Sequence, residues 1–179
     1  MFGSVKNKFV ITGPPSSGKT TILDILQQRG IKVLSDTSRE ILLKKEEYGV
    51  DINDIAFSDL IFEKQLEKEF TLDENEVCFL DMSLVECIVF RKLKGQSLDL
   101  LSEIELRQRY EDVFLFSPLP FENDGYRDEN DEQQINKIYE LMKETYLELG
   151  YTACSIPRLP IDQRLQIIID FLRSKGVAL

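Results

Sequence analysis

Apolar residues fall along the chain in two alternating patterns. Short runs rich in Val, Ile, Phe and Leu recur at Phe9 to Thr12, Ile31 to Ser35, Val77 to Leu80, Val113 to Phe116 and Thr152 to Ile156. Runs this short, without polar alternation, read as strands buried on both faces. Elsewhere apolar side chains return every three or four positions: Ile22, Ile25 and Leu26 after the first run, Ile135, Ile138, Met142, Tyr146 and Leu149 before the fifth, and Ile161, Leu165, Ile168 and Leu172 after it. That period puts them on one face of a helix, packed against a sheet. Strand-length and helix-length segments in alternation predict an α/β fold with helices on both faces of a parallel sheet.

Two segments depart from this rhythm. Asp51 to Phe70 has helical spacing at Ile55, Phe62, Leu66 and Phe70 with mixed charge between, so it can pack on the sheet or overhang a substrate site. Ser117 to Asp131 carries Pro118, Pro120 and Gly125 with several acids around Arg127 and reads as a loop. A loop of that length is usually functional or disordered, and it is expected to act as a lid over about 117–131. No internal repeat or low-complexity tract is present, and a length of 179 residues predicts one domain over 1–179.

Composition narrows the chemistry. With 32 acidic against 22 basic residues and a net charge of −10, the average field repels nucleic acid and anionic membranes, so neither is expected as a partner. The chain has no histidine, which excludes Ser-His-Asp and Cys-His nucleophilic catalysis and His-ligated zinc. Any catalysis must use carboxylates, Lys, Arg and a metal. Three cysteines without a C-x-x-C pair fit a reducing compartment better than a disulfide framework. The N-terminal apolar run is too short for a signal peptide, and no run approaches the roughly 20 apolar residues that span a bilayer. A cytoplasmic location is expected, with monomer and homodimer equally open.

The strongest local signal is Gly13-Pro14-Pro15-Ser16-Ser17-Gly18-Lys19-Thr20, which matches G-x-x-x-x-G-K-[ST] directly after a buried strand and at the start of a helix. Glycines let the backbone bend around phosphates, and successive amides at a helix N-terminus supply fixed positive potential. The nucleotide site is expected to run from Gly13 through Thr21, with Lys19 on the β- and γ-phosphates and the Thr20 hydroxyl on Mg²⁺. A plain Gly-Pro turn would not require the Lys-Thr pair at this offset. Asp81 ends the third apolar run, where a carboxylate holds Mg²⁺ in such proteins or caps the next helix.

Ligands of open parallel sheets sit at the carboxyl ends of strands, so Asp36 to Glu40, leaving the second run, should share the crevice. Asp36 is placed to accept a proton from an acceptor hydroxyl, or to cap a helix, or both. Arg39, one turn on, can bind an anionic substrate group or pair with a surface acid. Arg127 can stabilise transition-state charge from the lid, or stand solvated among Asp124, Asp128 and Glu129.

Taken together, Ile11 to Thr20, Asp36 to Glu40, Leu80-Asp81-Met82-Ser83 and Asp124-Gly125-Tyr126-Arg127-Asp128-Glu129 resemble the small AAA-type P-loop domains related to the ribosylnicotinamide kinase half of NadR proteins. The likeness extends to Ile156-Pro157 and Asp162-Gln163-Arg164. It implies a nucleoside- or nucleotide-kinase architecture with a five-stranded parallel sheet of order 2-3-1-4-5, an acceptor-side acid at Asp36 and a lid arginine at Arg127. Many relatives have Arg directly after the strand-end acid; this chain has Met82.

Two functions fit these residues. One is a kinase that uses ATP or another nucleoside triphosphate with Mg²⁺ to phosphorylate a small-molecule hydroxyl, with Lys19, Asp36, Asp81 and Arg127 as its catalytic groups. The other is a nucleotide-binding ATPase or switch that signals through the mobile loop. No Asn-Lys-x-Asp guanine signature is present, which favours ATP.

Overall fold

A computed structural model describes residues 5–49, 51, 53–96, 106–119 and 132–177. Five strands form a single sheet: β1 Val5–Thr12, β2 Lys32–Leu34, β3 Cys78–Leu80, β4 Tyr110–Phe116 and β5 Cys154–Ile156. All neighbouring pairs are parallel and the spatial order is β2-β3-β1-β4-β5, the order expected from the resemblance. The helices are α1 Lys19–Gln28, α2 Thr37–Leu43, α3 Lys45–Tyr48, α4 Ile55–Phe70, α5 Leu84–Lys94, α6 Glu132–Glu148 and α7 Ile161–Ser174.

Alternation along the buried strands distributes side chains to two cores. Phe9, Ile11, Phe79, Phe114 and Phe116 point to the face covered by α1 and α7, where they meet Ile22, Leu26, Ile168 and Leu172. Val10, Cys78, Leu80 and Val113 point to the opposite face, under Ile61 of α4, Val85 and Ile88 of α5 and Tyr146 of α6. Burial on both faces explains why the central stretches Phe9 to Ile11, Cys78 to Leu80 and Val113 to Phe116 show no polar positions. Truncating one of the central phenylalanines to alanine would cost roughly 3–5 kcal/mol.

The predicted strands are found with shifted ends. β1 begins at Val5, four residues before Phe9, and its register with β4 shifts between Val5 and Phe9, around the positive φ of 56° at Asn7. The segment from Asp51 becomes helical only at Ile55, because Asp54 caps α4 by accepting from the Ala56 amide at 3.3 Å. Helix α5 carried no sequence expectation. Its signal was nonetheless there: Ser83-x-x-Glu86 forms a capping box and Gly95 closes the helix in the left-handed conformation. Of the expected lid, only residues 117–119 fall among those described; Arg127 and the acids around it lie outside them. No helix of the described residues is long and apolar enough to cross a membrane.

Candidate active site

The loop between β1 and α1 is held by two close backbone approaches. Gly13 has φ +145°, and a Cβ there would lie 2.7 Å from the Phe116 carbonyl oxygen at the end of β4. Gly18 has φ +83°, and a Cβ there would lie 2.7 Å from Nη1 of Arg164 in α7. Gly13 excludes a side chain by backbone contact and by conformation, and Gly18 chiefly by its left-handed conformation. Ser16 between them also takes a left-handed φ of 58°. Pro14 and Pro15 have no N–H, so the loop's amide donors come from Gly13 and from Ser16 through Thr21. No side chain caps α1, whose N-terminal turn follows Gly18 directly. Oriented amides at an uncapped helix start form an anion site.

Lys19 curls back over this loop. Its Nζ donates to the Gly13 carbonyl at 2.8 Å, the Pro14 carbonyl at 2.9 Å and the Ser17 Oγ at 3.2 Å. Thr20 and Thr21 are exposed on the first turn of α1, and Ser17 is buried beneath the loop.

A cavity of about 650 Å³ opens from Gly13, Pro15 and Lys19 across the carboxyl ends of β2 and β3. Asp36 and Asp81 both line it, so tertiary structure brings together the phosphate loop and the two predicted acids. Asp36 is the N-cap of α2: its Oδ1 accepts from the Arg39 amide at 3.1 Å and from the Ser38 hydroxyl at 2.6 Å. Capping and cavity lining thus coexist in Asp36. The capping alternative for Asp81 falls away, because Ser83 is the N-cap of α5. The Asp81 amide donates to the Leu34 carbonyl at 2.9 Å, which fixes the turn that carries its carboxylate. Arg39 is exposed, and its contact with this region is through its backbone.

Two residues that sequence reasoning missed organise the end of the cavity that carries Asp36 and Asp81. Gln65 of α4 is fully buried. Its Oε1 accepts from the Thr37 hydroxyl at 2.6 Å, and its Nε2 donates to the Met82 carbonyl at 3.0 Å and to Glu69 Oε1 at 2.9 Å. Thr37 follows Asp36 and Met82 follows Asp81, so one amide spans the two acid-bearing turns. Behind it, Glu69 accepts from Arg109 Nε at 2.8 Å and from the Tyr110 hydroxyl at 2.9 Å, while that hydroxyl accepts from the Leu84 amide at 2.9 Å. No sequence signal marks a lone Gln in an amphipathic helix as the centre of such a network.

Glu86 is the second. It lines the cavity, is buried, and accepts from the Ser83 amide at 2.9 Å, the Ser83 hydroxyl at 2.6 Å and the Tyr146 hydroxyl at 3.1 Å. Burial pushes its carboxyl above the ordinary glutamate value, opposed by the Ser83 and Thr12 hydroxyls. Its capping-box spacing was readable; its place on the cavity wall was not. Met82 is buried and lines the same wall, with Phe57, Ile61 and Phe90 extending an apolar end away from the phosphate loop.

Sheet order, crossover helices and loop together define a P-loop α/β/α fold of the nucleotide-kinase type. The chain belongs to the AAA domain family AAA_28, whose profile matches residues 8–164. Among solved structures it is similar to NadR protein in complex with NR, with 16% identity and a TM-score of 0.72 over 99% of this chain and 53% of that one. The chain thus spans about half the length of that NadR chain. It is also similar to thymidylate kinase from Candida albicans (12% identity, TM-score 0.64, 96% of this chain and 92% of that). Shikimate kinase from Acinetobacter baumannii in complex with shikimate matches with 18% identity and a TM-score of 0.55, over 99% of this chain and 98% of that. At these identities the likeness establishes the fold. No curated protein matches the sequence.

Proposed function

We propose that this protein is a small-molecule kinase that transfers the γ-phosphoryl group of ATP to a hydroxyl. The observation that carries the reading is the single cavity lined by Lys19 and the phosphate loop at one end and by Asp36 and Asp81 at the strand ends, with an apolar space beyond them. The fold shared with thymidylate and shikimate kinases supports the same class.

The loop amides and Lys19 bind the triphosphate and neutralise charge on its outer oxygens, where fixed donors lower the barrier most. Asp36 orients the acceptor hydroxyl and takes its proton as the oxygen–phosphorus bond forms, while the bond to the bridging β–γ oxygen breaks and ADP leaves. Asp81 and Thr20, one carboxylate and one hydroxyl, are the oxygen donors that would hold Mg²⁺. When bound, the ion supplies charge neutralisation across the phosphates. Arg127 is assigned to the lid as an additional cation at the transferring group, and Arg39 to an anionic part of the acceptor. The free cysteines Cys78, Cys87 and Cys154 support a cytoplasmic location, and the net charge of −10 argues against nucleic acid as partner.

The test is transfer of label from γ-labelled ATP into a mixture of nucleosides and small hydroxylated metabolites. A labelled product that depends on Asp36 supports the kinase. Binding of ATP with Mg²⁺ and no labelled product in any mixture turns the assignment to the ATPase or switch.

A further inference from the structure

We propose that Arg164, in the first turn of α7, is a positioning residue for the phosphate loop, holding the Ser17–Gly18 peptide so that the Gly18 amide faces the bound phosphates. The inference rests on the reading of residues 13–20 as a nucleotide site.

The contact is long in sequence and short in space. Arg164 Nη1 donates to the Ser17 carbonyl at 3.0 Å across 147 residues, and the side chain is 5% exposed. In a trans peptide the C=O and the following N–H point in opposite directions. Drawing the Ser17 carbonyl towards α7 therefore turns the Gly18 N–H away from α7. Arg164 approaches from the back of the loop, with its Cζ 5.9 Å from the Phe116 ring centroid. Gly13, Pro15 and Lys19 line the cavity on the front. A flipped 17–18 peptide would instead present a carbonyl to the phosphates, removing a donor and adding repulsion.

Gly18 and Arg164 also fit each other. The guanidinium fills the space a Gly18 side chain would need, with Nη1 at 2.7 Å and Nη2 at 3.2 Å from an ideal Cβ. This arrangement is poor as a stabilising device: Arg164 Nε is buried without a hydrogen-bond partner among the described residues. A buried guanidinium so partnered usually costs more than an apolar side chain of equal size. What the arginine adds is a donor on one carbonyl and a fixed positive charge directly behind an anion-binding loop.

The experiment is calorimetric titration of wild type, R164M, R164Q and R164K with Mg-ATP and, separately, with inorganic tripolyphosphate, alongside ligand-free melting temperatures. R164M and R164Q are expected to lose about 10- to 100-fold in affinity, the range for outer-shell partners. The loss should be equal for both probes, with ligand-free melting unchanged or raised. R164K, which keeps the charge and N–H donors but not the planar fork, should recover part of it. Tripolyphosphate affinity within twofold of wild type in R164M or R164Q overturns the proposal. So does a loss confined to ATP, which would place Arg164 on the base or ribose. If neither variant folds, tripolyphosphate binding by R164K is decisive: a reduced affinity supports the proposal, and wild-type affinity overturns it by making the arginine structural. Wild type binding neither probe overturns the nucleotide site and this inference together, whereas wild type binding with R164M unchanged overturns only the inference.

Discussion

The two ends of the cavity are built in different ways. At the phosphate end, the groups that would touch the ligand are consecutive: backbone amides from Gly13 and from Ser16 to Thr21, with the Lys19 side chain folded over them. At the opposite end, Asp36 comes from the β2–α2 turn, Asp81 from the β3–α5 turn and Glu86 from the first turn of α5, and Gln65 of α4 ties the two strand-to-helix turns together. The first site is a property of a short piece of chain in the right setting. The second exists only once β2, β3, α4 and α5 have packed. Damage should therefore differ in kind: changes in the loop remove ligand contacts and leave the fold, whereas changes on the acceptor side mix chemistry with stability.

Asp36→Asn is the sharpest test of that division, and the largest expected effect. Asn caps helices about as well as Asp, so stability should hardly change. The turnover number should fall by roughly 10²- to 10⁴-fold with ATP affinity nearly constant. Phosphoryl transfer that survives the substitution would show that the acceptor end lacks the base assigned to it. Lys19→Ala comes next. Loss of one fixed charge at the transferring group should lower turnover by about 10²- to 10³-fold, and calorimetry should find ATP binding greatly weakened, while the ligand-free melting curve stays close to wild type. A matching fall in thermal stability would mean the lysine acts mainly as a strap on the loop carbonyls.

Asp81→Asn should weaken nucleotide binding in Mg²⁺ more than in EDTA, because a neutral amide is a poorer ligand for a hard cation. Equal losses under both conditions would remove the metal role. Gln65→Met breaks the acceptor end through its support. It removes the donor to the buried Met82 carbonyl and one donor to Glu69, and leaves the Thr37 hydroxyl with only the Lys68 ammonium as partner, at a cost of about 1–3 kcal/mol for a buried group left unsatisfied. A domain of this size should then melt about 2–4 °C lower for each kcal/mol lost. Acceptor KM should rise while affinity for tripolyphosphate holds, and an equal loss at both ends would deny the separation.

The smallest effect concerns pH. Burial raises the Glu86 carboxyl above its ordinary 4.5, so the folded state binds that proton more tightly than the unfolded chain does. The stability linked to it is full below 4.5 and is lost as pH rises through the higher folded value. Glu86→Gln cannot titrate, so its melting temperature relative to wild type should climb as pH increases from 4.5 upward. A difference that stays flat with pH would mean the buried carboxyl does not titrate in this range.

Much of this is legible in the sequence. The five strands were found from apolar runs because a sheet covered on both faces tolerates few polar residues; the start of β1 differs from the apolar run around the irregularity at Asn7, and the start of α4 is set by the Asp54 cap. Helix α5 went unread although its capping box stood in plain view, because Leu84 to Val89 is apolar on nearly every side and shows no clean period. Arg39 shows what spacing alone leaves open. Its spacing from Asp36 suggested a shared substrate face, yet the structure leaves its side chain exposed and uses its amide.

The sequence by itself determined the strand-loop-helix unit from β1 to α1, because phosphate recognition there depends on backbone amides and on glycines whose requirement is local. It also determined which carboxylates end strands. Only tertiary structure decided that Arg164 lies behind the loop, that Phe116 crowds Gly13, and that Gln65 joins the turns bearing Asp36 and Asp81. Those contacts join residues tens to more than a hundred positions apart. They follow from sheet order and helix packing, which the spacing of residues along a single chain does not encode.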